Sequence, residues 1–422
     1  MRMISKIRRV AAVSTAGLAA VGAVALSPVA AHAATSMTIT EMDYFSTPGQ
    51  VAAIASYVRS FEAAHPGVTV KIDHAPFAEL DTKLLTDATA GDLPNIIASD
   101  NPFVPDMIAT GQIVPLSRFK GFSPRGYYKP VIDEGLSGGK YYAMPVAGDN
   151  SLALFYNIPM LKAAHLSPPT TWAQLVSDAK ALTTSKTYGM ALTGEAAEDT
   201  TWQWEPFFWS DGGQWSKIDS TAGVQAMTLI HQLVSDGSAS KDAVSWSQTP
   251  SVTDQFLHKQ TAMMINGPWN FPTLNQQGWY YGKQFGVVPI PVRVAGQKVS
   301  GPLGGEDWMI SKSGSTAQQQ MAFQFIEGTQ ATARAVTFAK TFGYMPARPA
   351  VAATFLKTAG PEWKIFVDQT PYMRPRTLGY GVNYPKISQV VWTEIQSVIS
   401  GSKSPQGALS SAQGQITSIL KG

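Results

Sequence analysis

Residues 255–269 read QFLHKQTAMMINGPW and combine three features of an α/β protein in one short stretch. The first residues are typical of a helix end, and residues 261–265 form an apolar run of the length expected for a strand covered on both faces. The Asn-Gly-Pro tripeptide at 266–268 contains strong turn formers and should end this strand. Trp269 is therefore predicted to lie just beyond the carboxyl end of a buried strand.

The position predicted for Trp269 suggests a ligand contact. In open α/β sheets, ligands bind in the crevice outside the carboxyl ends of the strands. A tryptophan at that place offers a wide flat face and one N–H donor. The alternative at this point is a tryptophan that merely covers the end of the hydrophobic core.

The N-terminal residues 1–33 have the composition of a secretory signal peptide. Four basic residues stand within the first nine positions, an uncharged stretch follows from Val10 to Leu26, and small residues occupy positions 31 and 33. This order predicts export and cleavage near Ala33. A membrane anchor is the alternative, because the uncharged stretch approaches the roughly 17 residues that a spanning helix needs.

Charge and cysteine content exclude several classes of function. The chain without residues 1–33 has 28 Lys+Arg against 29 Asp+Glu and no basic cluster, which argues against nucleic acid as a partner. Cysteine is absent, so disulfides, thiolate metal sites, a cysteine nucleophile and a lipid-modified cysteine are all excluded. Charged residues make up 14% and aromatic residues 10% of the sequence, a balance suited to an uncharged polar ligand.

The order of predicted elements after the leader indicates a layered α/β fold. Strands are expected at 37–42 and 68–72, a third is entered within 92–98, and helices beginning at Thr47 and Leu80 separate them. Such β-α-β-α-β order predicts a mostly parallel sheet with helices on both faces. Because single cores stop growing at about 250–300 residues, the length indicates two or three domains, and the pattern favours two.

Short segments spread over residues 37–416 resemble one protein family in sequence, order and spacing. They are FEAAHPGVTV from Phe61, AGDLPNII from Ala90, MIATGQIVPL from Met107, GGKYYAMP from Gly138, LALFYN from Leu152, PPTTWAQL from Pro168, the 262–269 run, GVVPIP from Gly286, GGEDWMIS from Gly304 and SPQGALSSAQGQI from Ser404. The sequence resembles the extracytoplasmic solute-binding proteins of ABC importers, in particular the sugar-binding, maltodextrin-binding-protein-like family.

The resemblance implies a two-lobed periplasmic-binding-protein-like α/β fold of type II. Each lobe would be a mostly parallel sheet flanked by helices, and hinge crossings would join the two lobes. Lobe one is expected to contain residues 37–146 and 293–345, and lobe two residues 147–292 and 346–422. The expected crossings lie near residues 145–150, 288–292 and 344–348.

The same resemblance implies a set of ligand-binding residues. Aromatic residues surround one carboxylate in TWQWEPFFW (201–209), and a sugar is well held by flat aromatic faces together with planar carboxylate acceptors. Core packing could account for about half of these rings. The predicted binding residues are Asp43, Phe45, Asp100, Asn101, Asp149, Trp204, Glu205, Phe207, Trp269, Gly305, Glu306, Trp308, Arg348 and Tyr384. Helix capping is the alternative role for Asp43 and Asp100.

Motifs that could indicate catalysis are weak. The G-x-S-x-G pattern at 135–139 lacks the strand-then-helix order of a nucleophile elbow and predicts a hairpin turn instead. Four carboxylates at 195, 198, 199 and 205 could supply a glycosidase pair, but most of them lie in a stretch typical of a solvated loop. The histidines lack metal-ligand spacing. No catalytic residue, metal or cofactor is predicted.

The resemblance implies the extracytoplasmic substrate-binding component of an ABC importer, which captures a neutral di- or oligosaccharide by hinge closure. Its partners would be membrane permease subunits with a separate ATPase, and the protein itself should be a monomer that binds no nucleic acid. A receptor for a polyol or another non-sugar solute is one alternative. A secreted glycoside hydrolase and a wall-associated lectin are two others.

Overall fold

The computed structural model describes residues 36–421, so the predicted signal peptide and its cleavage site near Ala33 lie outside the described residues. The strands are β1 (Met37–Asp43), β2 (Val68–His74), β3 (Ile96–Asp100), β4 (Leu136–Ser137), β5 (Lys140–Tyr141), β6 (Ala143–Pro145), β7 (Gly148–Asp149), β8 (Ala153–Asn157), β9 (Tyr188–Ala191), β10 (Thr261–Asn266), β11 (Phe285–Val288), β12 (Glu306–Ile310) and β13 (Met345–Pro346).

The helices flank the sheets and are numbered in chain order. They are α1 (Pro48–Ala64), α2 (Phe77–Ala90), α3 (Val104–Ala109), α4 (Lys129–Asp133), α5 (Ile158–Ala163), α6 (Trp172–Leu182), α7 (Glu198–Ser210), α8 (Thr221–Ser235), α9 (Thr253–Leu257), α10 (Asn270–Gln276), α11 (Thr316–Thr329), α12 (Thr332–Phe342), α13 (Pro349–Leu356), α14 (Trp363–Gln369), α15 (Tyr384–Ile399) and α16 (Pro405–Lys421). In the part of the chain that is described, none of them has both the length and the apolar character needed to span a bilayer.

The first sheet has the strand order β2-β1-β3-β12-β6. Strand β1 is parallel to both β2 and β3, as the β-α-β order predicts. Strand β12 comes from the second half of the chain and is antiparallel to β3 and β6. The lobe around this sheet, lobe one, is therefore built from two separate stretches of sequence.

The second sheet, of lobe two, has the order β11-β8-β10-β9. Its central strand β10 is antiparallel to β8 and parallel to β9, and β11 is antiparallel to β8. The α/β fold class is confirmed, but both sheets are mixed rather than mostly parallel. Returning segments add antiparallel strands to sheets that βαβ units begin, and such mixed sheets are common.

The stretch 255–269 forms the predicted elements. Helix α9 ends at Leu257, and every residue of β10 is buried. The side-chain oxygen of Asn266 accepts a hydrogen bond from the backbone N–H of Gly267 at 3.0 Å and thereby stabilises the turn. Trp269 follows that turn directly, at the beginning of α10.

Local sequence signals determine other element boundaries. Thr47 caps α1 through a capping box with Gln50, in which each side chain bonds to the backbone N–H of the other residue. The glycine-rich turn at 135–139 joins β4 to β5 in a hairpin, as its sequence predicts. The stretch near Glu198 was expected to be a solvated loop, and this expectation is wrong, because α7 begins there and is almost wholly buried.

The segments that connect the two sheets pair with each other. Strand β7 lies between β6 of the first sheet and β8 of the second, and it pairs antiparallel with β13. Residues 293–300 still contact α7, since Arg293 forms an ion pair with Asp211 at 2.6 Å and the N–H of Ser300 donates to Ser210 Oγ at 2.9 Å. The exact lobe boundaries stay a prediction.

Gly148 is expected to be indispensable for the pairing of β7 with β13. A Cβ atom at this position would overlap the carbonyl oxygen of Met345, which is backbone and cannot turn away. Gly148→Ala should therefore lower the free energy of unfolding by about 3 kcal/mol, as overpacking of a closed contact does. Urea denaturation followed by tryptophan fluorescence measures the change.

Gly414→Ala is the matched control. An added Cβ at Gly414 meets nothing within 4 Å, and the residue lies in α16. This substitution should raise stability by about 0.5–1 kcal/mol, since alanine favours helix over glycine. Equal effects of the two substitutions would contradict the close contact at Gly148.

Candidate functional site

A cavity of about 610 Å³ is lined by residues from both lobes. Its walls come from segments that follow β1 and β3 or precede β12 in the first sheet, and from α7 and the turn after β10 beside the second sheet. Cavities of this size are typical of small-molecule sites, which measure about 300–1,000 Å³. The cavity is therefore the candidate functional site.

Lobe one contributes aromatic side chains, two carboxylates and main-chain atoms to the cavity. Tyr44 follows β1, Asp100 ends β3, and Glu306 begins β12. Gly304 and Gly305 precede Glu306 and bring main chain to the cavity surface. Gly305 has φ of +119°, a backbone conformation that residues with a side chain rarely adopt, so glycine is required there.

Lobe two contributes two indole rings and two further carboxylates. Glu198, Asp199 and Trp202 all lie in the first turns of α7, and Trp269 immediately precedes α10. Glu198 and Trp202 are four residues apart, so the helical repeat places them on the same face. One short buried helix therefore presents both acids and an aromatic ring to the cavity.

Arg376 joins the two sides at the cavity wall. Its Nη2 lies 3.0 Å from Asp100 Oδ1 of lobe one, and its Nη1 lies 2.9 Å from Glu198 Oε1 of α7. Its Nε donates to the carbonyl of Leu303 at 3.0 Å, so each nitrogen of the guanidinium donates a hydrogen bond. The side chain is only 3% exposed, and a charge so deeply buried requires such pairing.

Trp202 packs against the same guanidinium. The Arg376 Cζ atom lies 4.6 Å from the centre of the Trp202 ring, within the range of a cation–π contact. Gly304 also approaches this ring, because a Cβ at that position would overlap the far edge of the indole. The ring is therefore held in place on two sides and forms a fixed part of the wall.

The carboxyl groups of the cavity hold their protons unusually tightly. Burial, opposed by the hydrogen bond from Tyr44 and reinforced by Asp100 and Asp307, raises the pKa of Glu306 to about 8. Burial and the neighbouring acids Glu195 and Glu198 raise the pKa of Asp199 to about 7. The site therefore contains carboxyl groups that are partly protonated near neutral pH.

A second layer of carboxyl groups lies behind the wall. The Tyr384 hydroxyl is 2.6 Å from Glu198 Oε1 and 2.9 Å from Glu205 Oε1. The hydroxyl hydrogen is shared between the two carboxyl groups. Burial and the nearby Glu198 raise the pKa of Glu205 well above its usual value, which favours its protonated form.

The structure brings four of the residues predicted from sequence to the cavity wall. They are Asp100, Trp269, Gly305 and Glu306. Four predicted aromatic residues are instead buried in the hydrophobic cores: Phe45, Trp204, Phe207 and Trp308. Phe45 packs edge-on against Phe342 at 4.6 Å, and Trp204 stacks on Phe208 at 4.8 Å, which explains why their rings do not face the cavity.

The predicted polar residues mostly lie one layer behind the wall. Asp43 accepts a hydrogen bond from the N–H of Phe45, and Asn101 donates to Asp307 Oδ2 at 3.1 Å. Both carboxyl oxygens of Asp149 are buried without a hydrogen-bond partner among the described residues, and its backbone lies against Gly305.

Arg348 lies elsewhere, in a smaller cavity of about 350 Å³. Its guanidinium is stacked over Tyr127 at 5.1 Å and donates to the carbonyl of Gln330. Arg348 is not among the residues that line the cavity beside Trp269. The role assigned to the predicted site residues as ligand contacts stays a prediction.

Sequence reasoning missed several residues of the wall. Trp202 and Arg376 form its central stack, while Asn150, Gln248 and Tyr44 add polar groups. The four-residue spacing of Glu198 and Trp202 was a usable helical signal. Arg376 stands in an irregular segment after several prolines, where no periodicity points to it.

The fold and the cavity define a two-lobed binding protein. The sequence model of the family described as bacterial extracellular solute-binding protein matches residues 56–365. The chain belongs to this family. Members are binding proteins, and the description of the family places them outside the cell.

Individual relatives share about a quarter of their residues with this chain. A galactooligosaccharide-binding protein of Bacillus subtilis is 23% identical over 387 residues, which cover 86% of each chain. A maltooligosaccharide ABC transporter solute-binding lipoprotein of Streptococcus pneumoniae is 25% identical over 316 residues, or 70% of each chain.

Solved structures confirm the two-lobed fold. The GacH receptor of Streptomyces glaucescens matches with a TM-score of 0.78 at 23% identity, covering 92% of this chain and 99% of that one. Maltose-bound MalE3 of T. maritima matches with a TM-score of 0.80 at 19% identity, covering 91% of this chain and all of that one. At such identities the likeness concerns the fold.

Arg376→Met should strongly destabilise the protein. The substitution keeps much of the side-chain volume but leaves Asp100 and Glu198, whose side chains are 24% and 26% exposed, without their shared cation. Breaking a fully buried pair costs about 3–5 kcal/mol, so the loss at these partly buried acids should be about 3 kcal/mol. The free energy of unfolding in urea at pH 7 measures the loss.

Lys364→Met provides the control for loss of a basic side chain. The side chains of Lys364 and Asp368 are 65% and 57% exposed, so their ion pair is screened by water. Its loss should cost no more than about 1 kcal/mol. A similar cost for both substitutions would show that Arg376 does not stabilise Asp100 and Glu198.

Glu306→Gln should stabilise the protein increasingly as the pH rises from 5 to 8. The folded-state pKa of Glu306 is raised to about 8, so folding favours its protonated form and its contribution to stability falls as the pH rises through this range. Glutamine removes that penalty yet still accepts from Tyr44. The stability advantage of the variant should grow by about 2 kcal/mol between these pH values.

Urea unfolding at pH 5, 6.5 and 8 tests this expectation, with Glu327→Gln as the control. Glu327 is exposed and belongs to the same lobe but lines the smaller cavity beside Arg348. Its substitution should leave the pH dependence unchanged. A constant difference between Glu306→Gln and the unsubstituted protein would refute the raised pKa.

Proposed function

We propose that the protein is the extracytoplasmic carbohydrate-binding component of an ABC importer and that it captures a di- or oligosaccharide between its lobes. The observation that carries this proposal is the cavity itself, in which Trp202 and Trp269 accompany four carboxyl groups. A sugar ring presents C–H groups on its faces and hydroxyl groups at its edge. Indole faces suit the former and carboxyl oxygens suit the latter.

The relatives support a saccharide as the ligand. The Bacillus subtilis protein is named for galactooligosaccharides and the Streptococcus pneumoniae protein for maltooligosaccharides. Both chains match along most of their length, so the two-lobed frame is shared. A polyol would use the same hydroxyl acceptors but would leave the indole faces without a ring to stack on.

Capture by hinge closure follows from where the wall residues originate. Tyr44, Asp100 and Glu306 belong to the first lobe, whereas Asp199 and Trp269 belong to the second. A ligand that contacts both groups binds the closed form better than the open form and shifts the equilibrium towards closure. The β7–β13 pair is part of the connection about which the lobes would turn.

Delivery to the membrane would depend on other proteins. We expect permease subunits to bind the closed form and a separate ATPase to provide energy, while this chain acts as a monomer that catalyses no reaction. Export with cleavage near Ala33 completes the proposal. The absence of cysteine excludes attachment through a lipidated cysteine, so retention at the cell would need another mechanism.

Trp269→Ala should weaken saccharide binding about thirtyfold, or roughly 2 kcal/mol, if the indole stacks centrally on a sugar ring. Isothermal titration calorimetry with maltose, maltotriose, cellobiose, trehalose and xylobiose identifies the ligand that binds and then compares the two proteins.

Tyr280→Ala serves as the control aromatic substitution. Tyr280 is 50% exposed and does not line the cavity, so its removal should leave affinity unchanged. An unchanged dissociation constant for Trp269→Ala would assign that ring to core packing. Release of reducing ends from an oligosaccharide by the purified protein would favour a glycoside hydrolase instead.

A further inference from the structure

We infer that the solute bound in the cavity carries a protonated amine, so that an amino sugar is favoured over its neutral counterpart. This inference rests on the proposed function and specifies the class of saccharide. It follows from the charge balance of the wall and from one buried carboxyl oxygen that no group of the described chain satisfies.

The wall contains more acid than its single base can balance. Its charged residues are four carboxyl groups, which we call the acidic wall, and one guanidinium: Asp100, Glu198, Asp199 and Glu306 against Arg376. Arg376 already forms ion pairs with Asp100 and Glu198. Glu306 and Asp199 therefore face the cavity without a cation of their own among the wall residues.

Glu306 carries the argument because its environment is incomplete. It is 8% exposed, its Oε1 accepts from the Tyr44 hydroxyl, and its Oε2 is buried with no hydrogen-bond partner. A buried carboxyl oxygen left without a partner is costly, and a group from the ligand can remove that cost. Glu306 begins a strand, so no helix dipole accounts for its charge.

The groups that surround Glu306 are themselves acidic. Asp307 follows it in β12, Asp100 of β3 interacts with it electrostatically, and Asp149 of β7 packs behind Gly305. The hydroxyl of Tyr44, which follows β1, donates a hydrogen bond to Glu306. A cation beside Glu306 would offset the negative potential that these carboxyl groups create.

Asp199 offers the matching group on the other lobe. It lies in the first turn of α7, where the helix dipole partly accounts for an acid, and it also senses Asp100 across the cavity. Glu306 likewise senses Asp100. Both acids therefore interact electrostatically with Asp100 and line the same cavity from opposite lobes, and a ligand cation between them would attract both.

A protonated amine fits this region better than a hydroxyl group does. An ammonium has a positive charge and three donors, whereas a hydroxyl has one donor and no charge. Charge-assisted hydrogen bonds are about twice as strong as neutral ones. The face of Trp269, which also lines the cavity, can add a cation–π contact.

Calorimetry with matched sugars tests the inference. The neutral disaccharides maltose, cellobiose and trehalose are compared at pH 6.5 with their 2-amino-2-deoxy and 6-amino-6-deoxy derivatives, and with the N-acetylated forms of those derivatives. At least one amino derivative should bind at least tenfold more tightly than both its neutral parent and its acetylated form. Acetylation keeps the nitrogen but removes the charge.

Two further readouts separate a charge effect from a better fit. Binding of the amine should release protons, because a cation beside Glu306 lowers its pKa from about 8, and the observed heat will then differ between phosphate and MOPS buffers, which differ in their enthalpy of ionisation. Glu306→Gln should bring the ratio of amine to neutral affinity close to one, whereas Glu327→Gln should leave the ratio unchanged. A thermal melt verifies that both variants are folded.

Each result has a distinct meaning. Neutral sugars that bind as tightly as all their amino derivatives would overturn the inference and leave the proposed function intact. An amine preference that survives in Glu306→Gln would also overturn it. If no saccharide binds, with or without an amine, the proposed function itself fails and the inference fails with it.

Discussion

The structure depends on one buried guanidinium. Arg376 bonds to Asp100 from the first lobe and to Glu198 from the second, and Trp202 covers its face. A charge removed from water is tolerated where it is paired, so separation of the two lobes would cost one of these ion pairs. The same contact joins the lobes, positions the first turn of α7 and fixes the charge from which the ligand site begins.

Around that cation, burial has a chemical consequence as well as a structural one. Carboxyl groups in a poorly hydrated wall favour their neutral form, and the pKa of Glu306 and that of Asp199 rise to about 8 and about 7. Such groups can donate or accept hydrogen bonds near neutral pH. The wall can therefore adapt to the donors and charges of a ligand without moving its backbone.

Much of the fold was predictable from sequence because turn formers and apolar runs act locally. The strand before Trp269 and the capped start of α1 follow from neighbouring residues alone. The site was less predictable. In the aromatic run of α7, the helical repeat directs Trp202 towards the cavity and Trp204 into the core. The sequence shows the cluster of aromatic residues but not which side of the helix faces the cavity. Arg376 reaches the wall through tertiary packing, which no local pattern encodes.

The contact between Gly148 and Met345 constrains how such a molecule can deform. The space between Gly148 and the Met345 carbonyl oxygen admits no side chain, so moving either strand towards the other would bring that oxygen into the opposing Cα. Rotation about the contact leaves that distance unchanged. In the proposed closure this pair would therefore act as an axle, which permits rotation of the lobes and resists compression across the joint.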